Sequence, residues 1–168
     1  MIKCTFEDGG SISLRHVVVD GIIIRGNKVL LNKRGTHNGK PLLESGKWSL
    51  IGGFVDRDET IAEAFKREAI EEAGCKVKNV KFFRIKDNPN RPNEKGRQNI
   101  AFVMVADFVS IIDVQTEEVL ELKWFDLDNL PPLEKTAFDH GEDLYKYKEY
   151  LKDKNSLKIL ERFPANIL

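Results

Sequence analysis

The chain has 168 residues, with 27 Lys plus Arg against 27 Asp plus Glu, so its formal net charge is zero. That length fits one domain and buries roughly 70% of the unfolded surface. Hydrophobic residues at 41% and charged ones at 32% exclude a disordered or collagen-like chain. A neutral total argues against a dedicated nucleic-acid binder, which carries a basic excess, while leaving room for a local basic pocket.

Val17-Val18-Val19 is followed at once by Asp20, so no secretory h-region opens the sequence. Nothing approaches the ~18 apolar residues of a membrane span. Cys4 and Cys75 are far apart and have no metal-type spacing. The expectation is a reduced, cytoplasmic protein with no nucleic-acid or membrane partner.

In chain order, Val17 to Ile24 is rich in β-branched residues, and Lys28 to Leu31 follows the turn Arg25-Gly26-Asn27, which is a hairpin signal. Gly35 to Lys47 is polar and glycine-containing and is expected to be a loop. Trp48 to Leu50 forms a short strand running into Gly52-Gly53. A helix is expected from about Thr60 to Ala73, because Ile61, Phe65 and Ala69 make one apolar stripe at helical period. Gly74 then serves as a left-handed C-terminal cap.

Val77 to Ile85 returns to strand, and Asp87 to Gly96 is a proline-stiffened loop. Asn99 to Val109 is a nearly continuous apolar run, as expected of a central strand. Val119 to Phe125 is a further strand, and Pro131-Pro132 stops regular structure. A closing helix over about 138–152 carries Leu144, Tyr147 and Leu151 on one face. The sum is an α/β layered domain spanning 1–168, built on a mixed sheet.

The informative segment is Gly53 to Cys75. On a helix, Glu68, Glu71 and Glu72 stand at i, i+3 and i+4 and project from one side. A helix built only for stability would interleave lysines. Glu72 lies seven positions after Phe65 and so falls on the apolar stripe, where a carboxylate is costly to desolvate unless a cation compensates it. Clustered oxygen ligands select hard divalent cations, Mg²⁺ first and Mn²⁺ second. The competing reading is a solvated acidic face, partly neutralised by Lys66 and Arg67.

Spacing decides between the two. Gly53, five residues, Glu59, seven residues, Arg67-Glu68, two residues, Glu71-Glu72, one residue and Gly74 resembles the Nudix box at every charged and glycine position. Seven fixed positions coincide by chance about once in 10⁸ starting points. Ala69 and Cys75 depart from the family's preference for larger aliphatic residues. The lead-in Gly46 to Val55 and the tail Glu118 to Leu130 are also similar to that family. The resemblance implies a Nudix-type α/β/α sandwich over nearly the whole chain.

It implies roles as well. Glu71 and Glu72 are metal ligands, joined by the Gly52 carbonyl oxygen. Glu68 either ligates metal or acts as general base on the attacking water. Arg67 holds the glutamates in register and Glu59 braces Arg67. Water activated at the cation, Mg²⁺ or Mn²⁺, attacks a phosphorus of a diphosphate. Glu118, with Glu117 behind it, is the candidate for an additional base or ligand from a distal loop.

Arg34, Arg91 and Arg97 are candidates for contacts to substrate phosphate or ribose. Asp87 to Asp107, and Ala137-Phe138-Asp139-His140, resemble segments of ADP-ribose pyrophosphatases and their regulator relatives. A nucleoside diphosphate sugar such as ADP-ribose is therefore the expected substrate. A nucleoside triphosphate, a catalytically silent nucleotide-sugar sensor and a diphosphate isomerase are the rivals. Family members are often homodimers.

Trp48 and Trp124 sit at strand ends and are expected in the core, while one of Phe82 and Phe83 must face outward. His16, His37 and His140 show no ligand spacing, and His140 is expected to cap a helix or lie on the surface. Cys75 has no nearby base to make it a nucleophile.

Overall fold

The computed structural model describes residues 2–91, 96–112 and 116–157. The first element is a hairpin that the sequence pattern did not disclose, β1 (Ile2–Thr5) with β2 (Ser11–Leu14), which forms a separate two-stranded sheet. The expected hairpin follows as β3 (Val17–Arg25) and β4 (Lys28–Arg34), with Gly26 at φ 61° in the turn. The segment expected to be loop contains a small hairpin, β5 (Thr36–His37) with β6 (Lys40–Pro41). Next come β7 (Trp48–Ser49), β8 (Ile51–Phe54) and helix α1 (Ile61–Glu71). The chain continues through β9 (Cys75–Lys86), β10 (Ile100–Ile111), β11 (Val119–Asp126) and helix α2 (His140–Lys152).

The main sheet has the order β11-β4-β3-β10-β9, with β7 on β4 and β8 on β3. Among the described strand pairings β3–β10 is parallel and the rest are antiparallel, so the sheet is mixed, as expected. Alternation along β3 sends Val19 and Ile23 to one face and Ile22 to the other. The first face packs under α1 with Phe65, Ala69, Met104 and Ala106. The second packs under α2 with Phe83, Val103, Leu144 and Tyr147. This is the α/β/α layering, with helices on both faces of one sheet.

Two details of α2 differ from expectation. It starts at His140, because Phe138 adopts φ 52° and Asp139 is the residue before the first turn. Leu151 is 43% exposed, so the buried stripe ends at Tyr147. Trp124 packs against the first core and Trp48 against the second, and Phe83 is buried while Phe82 faces outward. No helix among the described residues is long and apolar enough to cross a membrane.

The site is positioned by a fork in the sheet. β3 pairs with β8 over Val18–Gly21 but with β4 over Ile23–Arg25. β4 then diverges to pair with β7 and β11. A cavity of about 510 Å³ opens among these strands and the last turns of α1.

Candidate active site

Helix α1 begins with a capping box. Thr60 accepts a hydrogen bond from the Glu63 N–H, and the Glu63 carboxylate accepts from the Thr60 N–H at 2.8 Å. Phe65 and Ala69 are fully buried beneath it, and Gly21 of β3 is required there because a β-carbon would overlap the Phe65 ring. The helix's last turn holds no basic residue. Three glutamates thus crowd the end where the macrodipole is already negative, an arrangement unfavourable for stability alone.

Glu72 Oε2 accepts hydrogen bonds from the Gly52 N–H and the Asn32 side chain, each at 3.0 Å. Asn32 is itself buried and bonded to the Ser49 hydroxyl. Burial pushes the Glu72 carboxyl up to about 8, and no ion pair to it is found among the described residues. Glu68 is also buried, and burial raises its pKa. Gly53 makes room for it, since a β-carbon there would overlap the Glu68 carboxylate. Glu71 stays exposed.

Arg67 ties these groups together. It forms a two-pronged contact with Glu59 at 3.1 and 2.7 Å. Its remaining donors reach Glu68 at 2.8 Å, Glu71 at 2.9 Å and the Phe54 carbonyl at 2.9 Å. Glu59 in turn accepts from the Asp56 N–H at 2.9 Å. The hydrogen bond to Glu59 is the main cause that pushes the Arg67 pKa upward.

Across the cavity, Glu118 faces His37, whose Nδ1 lies 2.6 Å from Glu118 Oε1. Glu117 accepts from the N–H groups of Asn38 and Gly39 and from the Thr36 hydroxyl, so it fixes the β5–β6 hairpin at the cavity's lip. Arg34 lines the wall with Nε donating to the Leu43 carbonyl at 2.7 Å, and its guanidinium lies 5.1 Å from the Phe138 ring centre. Arg97 is exposed at the rim, 5.9 Å from the Phe54 ring centre. Arg91 borders the cavity, but its side chain is 3% exposed and clamps Asp139 with bonds of 2.9 and 2.7 Å.

Beneath the cavity lies an ionic floor that sequence reasoning missed. Asp20, Lys86, Arg91, Asp139 and Asp143 form a chain of ion pairs, with Lys86 3.1 Å from Asp20 and 2.8 Å from Asp139. Burial pushes the Asp20 carboxyl up, and the charges of Lys86 and Arg91 help reverse this to hold it at about 2. His140 is neither a cap nor a surface residue. It is 5% exposed, its Nδ1 accepts from the Leu50 N–H at 3.1 Å, and its Nε2 lies 3.5 Å from Asp20. Burial lowers its pKa to about 4, which keeps the ring neutral. The one available signal was Asp20 itself, a charge inside an otherwise apolar strand. Phe138 and Phe54 also line the cavity; both lie in segments whose resemblance to the family was visible in the sequence, but that resemblance gave neither ring a role.

Among the described residues no three carboxylate, imidazole or thiol groups meet at one ligand-ready point. Glu68 and Glu71 turn toward Arg67, and Glu72 toward two N–H donors. The donor set nonetheless suits a hard cation. It is all oxygen, and the half-buried Glu72 carboxylate is held by neutral donors where a positive charge would lower its desolvation cost.

Comparison with known proteins gives the family. A model of the NUDIX domain matches residues 14–146. An ADP-ribose pyrophosphatase from Methanocaldococcus jannaschii is 37% identical over 83% of this chain and 75% of its own length. The NAD-capped RNA hydrolase NudC of Shigella dysenteriae is 32% identical over 66% of this chain, which spans only 39% of that longer protein. Among solved structures, a NUDIX hydrolase from Nitrosomonas europaea superposes with a TM-score of 0.70 at 22% identity, covering 95% of this chain and 90% of that one. The chain belongs to the Nudix family of hydrolases.

Proposed function

We propose that this chain cleaves the diphosphate of ADP-ribose, or of a similar nucleotide sugar, with a divalent cation held by Glu68, Glu71, Glu72 and the Gly52 carbonyl oxygen. The observation that carries the reading is the half-buried Glu72 carboxylate, fixed by Gly52 and Asn32 beside two further glutamates at a cavity wall. Its support in substrate class is the 37% identity to an ADP-ribose pyrophosphatase. A bound Mg²⁺ or Mn²⁺ would supply Lewis-acid stabilisation of phosphoryl oxygens and a lowered pKa for water.

The protein's own groups do the rest. Arg67, anchored by Glu59, holds Glu68 and Glu71 in place while Gly52 and Asn32 hold Glu72. Glu118, or Glu68 where it is not a ligand, takes the proton from the attacking water. Arg34 and Arg97 neutralise diphosphate oxygens. Arg91 acts through Asp139 to hold the cavity floor. The free cysteines Cys4 and Cys75 fit a reducing, cytoplasmic setting.

The test is a substrate panel of ADP-ribose, other nucleotide sugars, NAD, dinucleoside polyphosphates and (d)NTPs, each with Mg²⁺, Mn²⁺ or EDTA. Metal-dependent release of AMP plus ribose 5-phosphate is the expected result. Turnover of (d)NTPs alone would replace the substrate, and binding without any turnover would replace catalysis with sensing.

A further inference from the structure

Two aromatic side chains among the described residues line the cavity outside both hydrophobic cores, Phe54 and Phe138, and Phe138 is the more deeply set. It belongs to neither hydrophobic core, yet it lines the cavity wall and is only partly covered. Its backbone sits at φ 52°, a conformation bulky L-residues rarely adopt and one that glycine or asparagine fills without strain. The turn is enforced from both sides. The Ala137 N–H donates to the Trp48 carbonyl at 2.7 Å, and the His140 N–H donates to the Ala137 carbonyl at 3.1 Å. Asp139 is locked by Arg91 and Lys86. A position where folding favours a residue without a large side chain therefore carries a phenyl ring, aimed at the cavity.

The charge layout says which part of a substrate meets that ring. One end of the cavity carries Glu68, Glu71, Glu72 and Glu118, opposed by Arg67. That end suits a cation and phosphates. The floor near Phe138 is charge-balanced, with Asp20, Asp139 and Asp143 paired to Lys86, Arg91 and Arg84 and a neutral His140 among them. It offers no net attraction for phosphate. Arg34 lines the same cavity within electrostatic reach of Glu72, Asp20 and Glu118, and its guanidinium lies 5.1 Å from the Phe138 ring centre. A diphosphate spanning the acidic end and Arg34 delivers its uncharged aromatic end to Phe138.

We infer that Phe138 is the stacking platform for the nucleobase of the substrate. This assignment rests on the nucleoside diphosphate reading above and adds its orientation. Phe54, 45% exposed, is the competing platform, but its carbonyl is bonded to Arg67 and its ring lies at the rim beside His16 and Arg97.

The test compares equilibrium binding of AMP and of ribose 5-phosphate in EDTA, by calorimetry, so that it does not depend on turnover. The two probes differ by the base. In the unmodified chain AMP binds tighter by at least about fivefold, the lower range for one base–aromatic stack. Phe138→Leu brings that ratio near one while Phe138→Trp preserves it, and thermal unfolding confirms that both variants fold. The inference is overturned if AMP and ribose 5-phosphate bind the unmodified chain equally. It is also overturned if Phe138→Leu keeps the ratio, or if Phe54→Leu abolishes it and Phe138→Leu does not. A preserved AMP preference that depends on Phe138 stands even where no substrate in the panel is hydrolysed, so the two readings fail separately.

Discussion

Gly53 and Glu68 share one space: a β-carbon on Gly53 would sit among the carboxylate oxygens of Glu68. The obstructed group is the far end of a flexible side chain, so the fold can yield at little cost while the carboxylate cannot stay where it is. At the neighbouring Gly52 the obstruction is the Val19 carbonyl, which is backbone inside a sheet. Gly53→Ala is therefore expected to lower kcat by about 100-fold, within the range for disturbing groups that orient a site, with a near-normal melting temperature. Gly52→Ala is expected to cost about 1–3 kcal/mol of stability. Equal melting losses in both variants would show that Gly53 serves packing and not Glu68.

Glu72 gives a pH dependence whose sign is fixed. Its carboxyl titrates near 8 in the folded chain against an ordinary 4.5, so between those values the folded state holds a proton that the unfolded state has released. Stability of the metal-free chain then falls as pH rises. His140, held near 4 against an ordinary 6.5, works in the opposite sense below 6.5. The clean window is pH 6.5 to 8. There the melting temperature in EDTA is expected to fall, with a limit of about 1.4 kcal/mol per pH unit. Glu72→Gln flattens the curve, and an unchanged slope in that variant would assign the effect elsewhere.

Arg91 and Arg97, both candidates for substrate contact, lie in opposite surroundings, one buried and one exposed. Both looked equivalent as arginines in or beside one proline-rich loop. Arg91 is buried against Asp139 and near Asp20, and removing one partner of a buried pair leaves the other uncompensated. Arg91→Ala is expected to cost about 3–5 kcal/mol, or a melting loss of roughly 10 °C at this chain length. Arg97→Ala leaves stability within about 0.5 kcal/mol and raises KM more than it lowers kcat. Denaturant unfolding and steady-state kinetics on the two variants decide it.

The contrast between these residues shows what the sequence made legible. The helix was visible because Ile61, Phe65 and Ala69 repeat at its period, and the acidic site because glutamates, arginine and glycines stand at fixed spacings on that one helix. Those signals are local. The ionic floor joins Asp20, Lys86, Arg91, Asp139 and Asp143 from four separated segments, and no spacing rule connects them. Phe138 lay in a segment marked by its resemblance, but its place at the cavity was hidden for a similar reason, since its left-handed backbone is framed by contacts to Trp48 and Arg91 across the fold. The β1–β2 hairpin escaped because its apolar positions, Ile2, Cys4, Ile12 and Leu14, alternate over only four residues per strand.

Glu117 and Glu118 are adjacent carboxylates with separable tasks. Glu117 spends its oxygens on the lip hairpin, through Asn38, Gly39 and Thr36. Glu118 borders the cavity and, among the described residues, bonds to the exposed His37 ring and, through its backbone, to Thr116 and Gly35. A general base must keep its carboxylate within reach of the attacking water. Glu118 lines the cavity and is the candidate for that task, whereas the Glu117 carboxylate is engaged by the hairpin. Glu118→Gln is expected to lower kcat by about 100-fold, the lower range for loss of a general base, with KM and melting temperature little changed. Glu117→Gln is expected to act on KM through a loosened lip, with a smaller effect on kcat. If Glu118→Gln turns over normally while Glu68→Gln does not, the base is Glu68, and Glu118 reverts to a partner for His37.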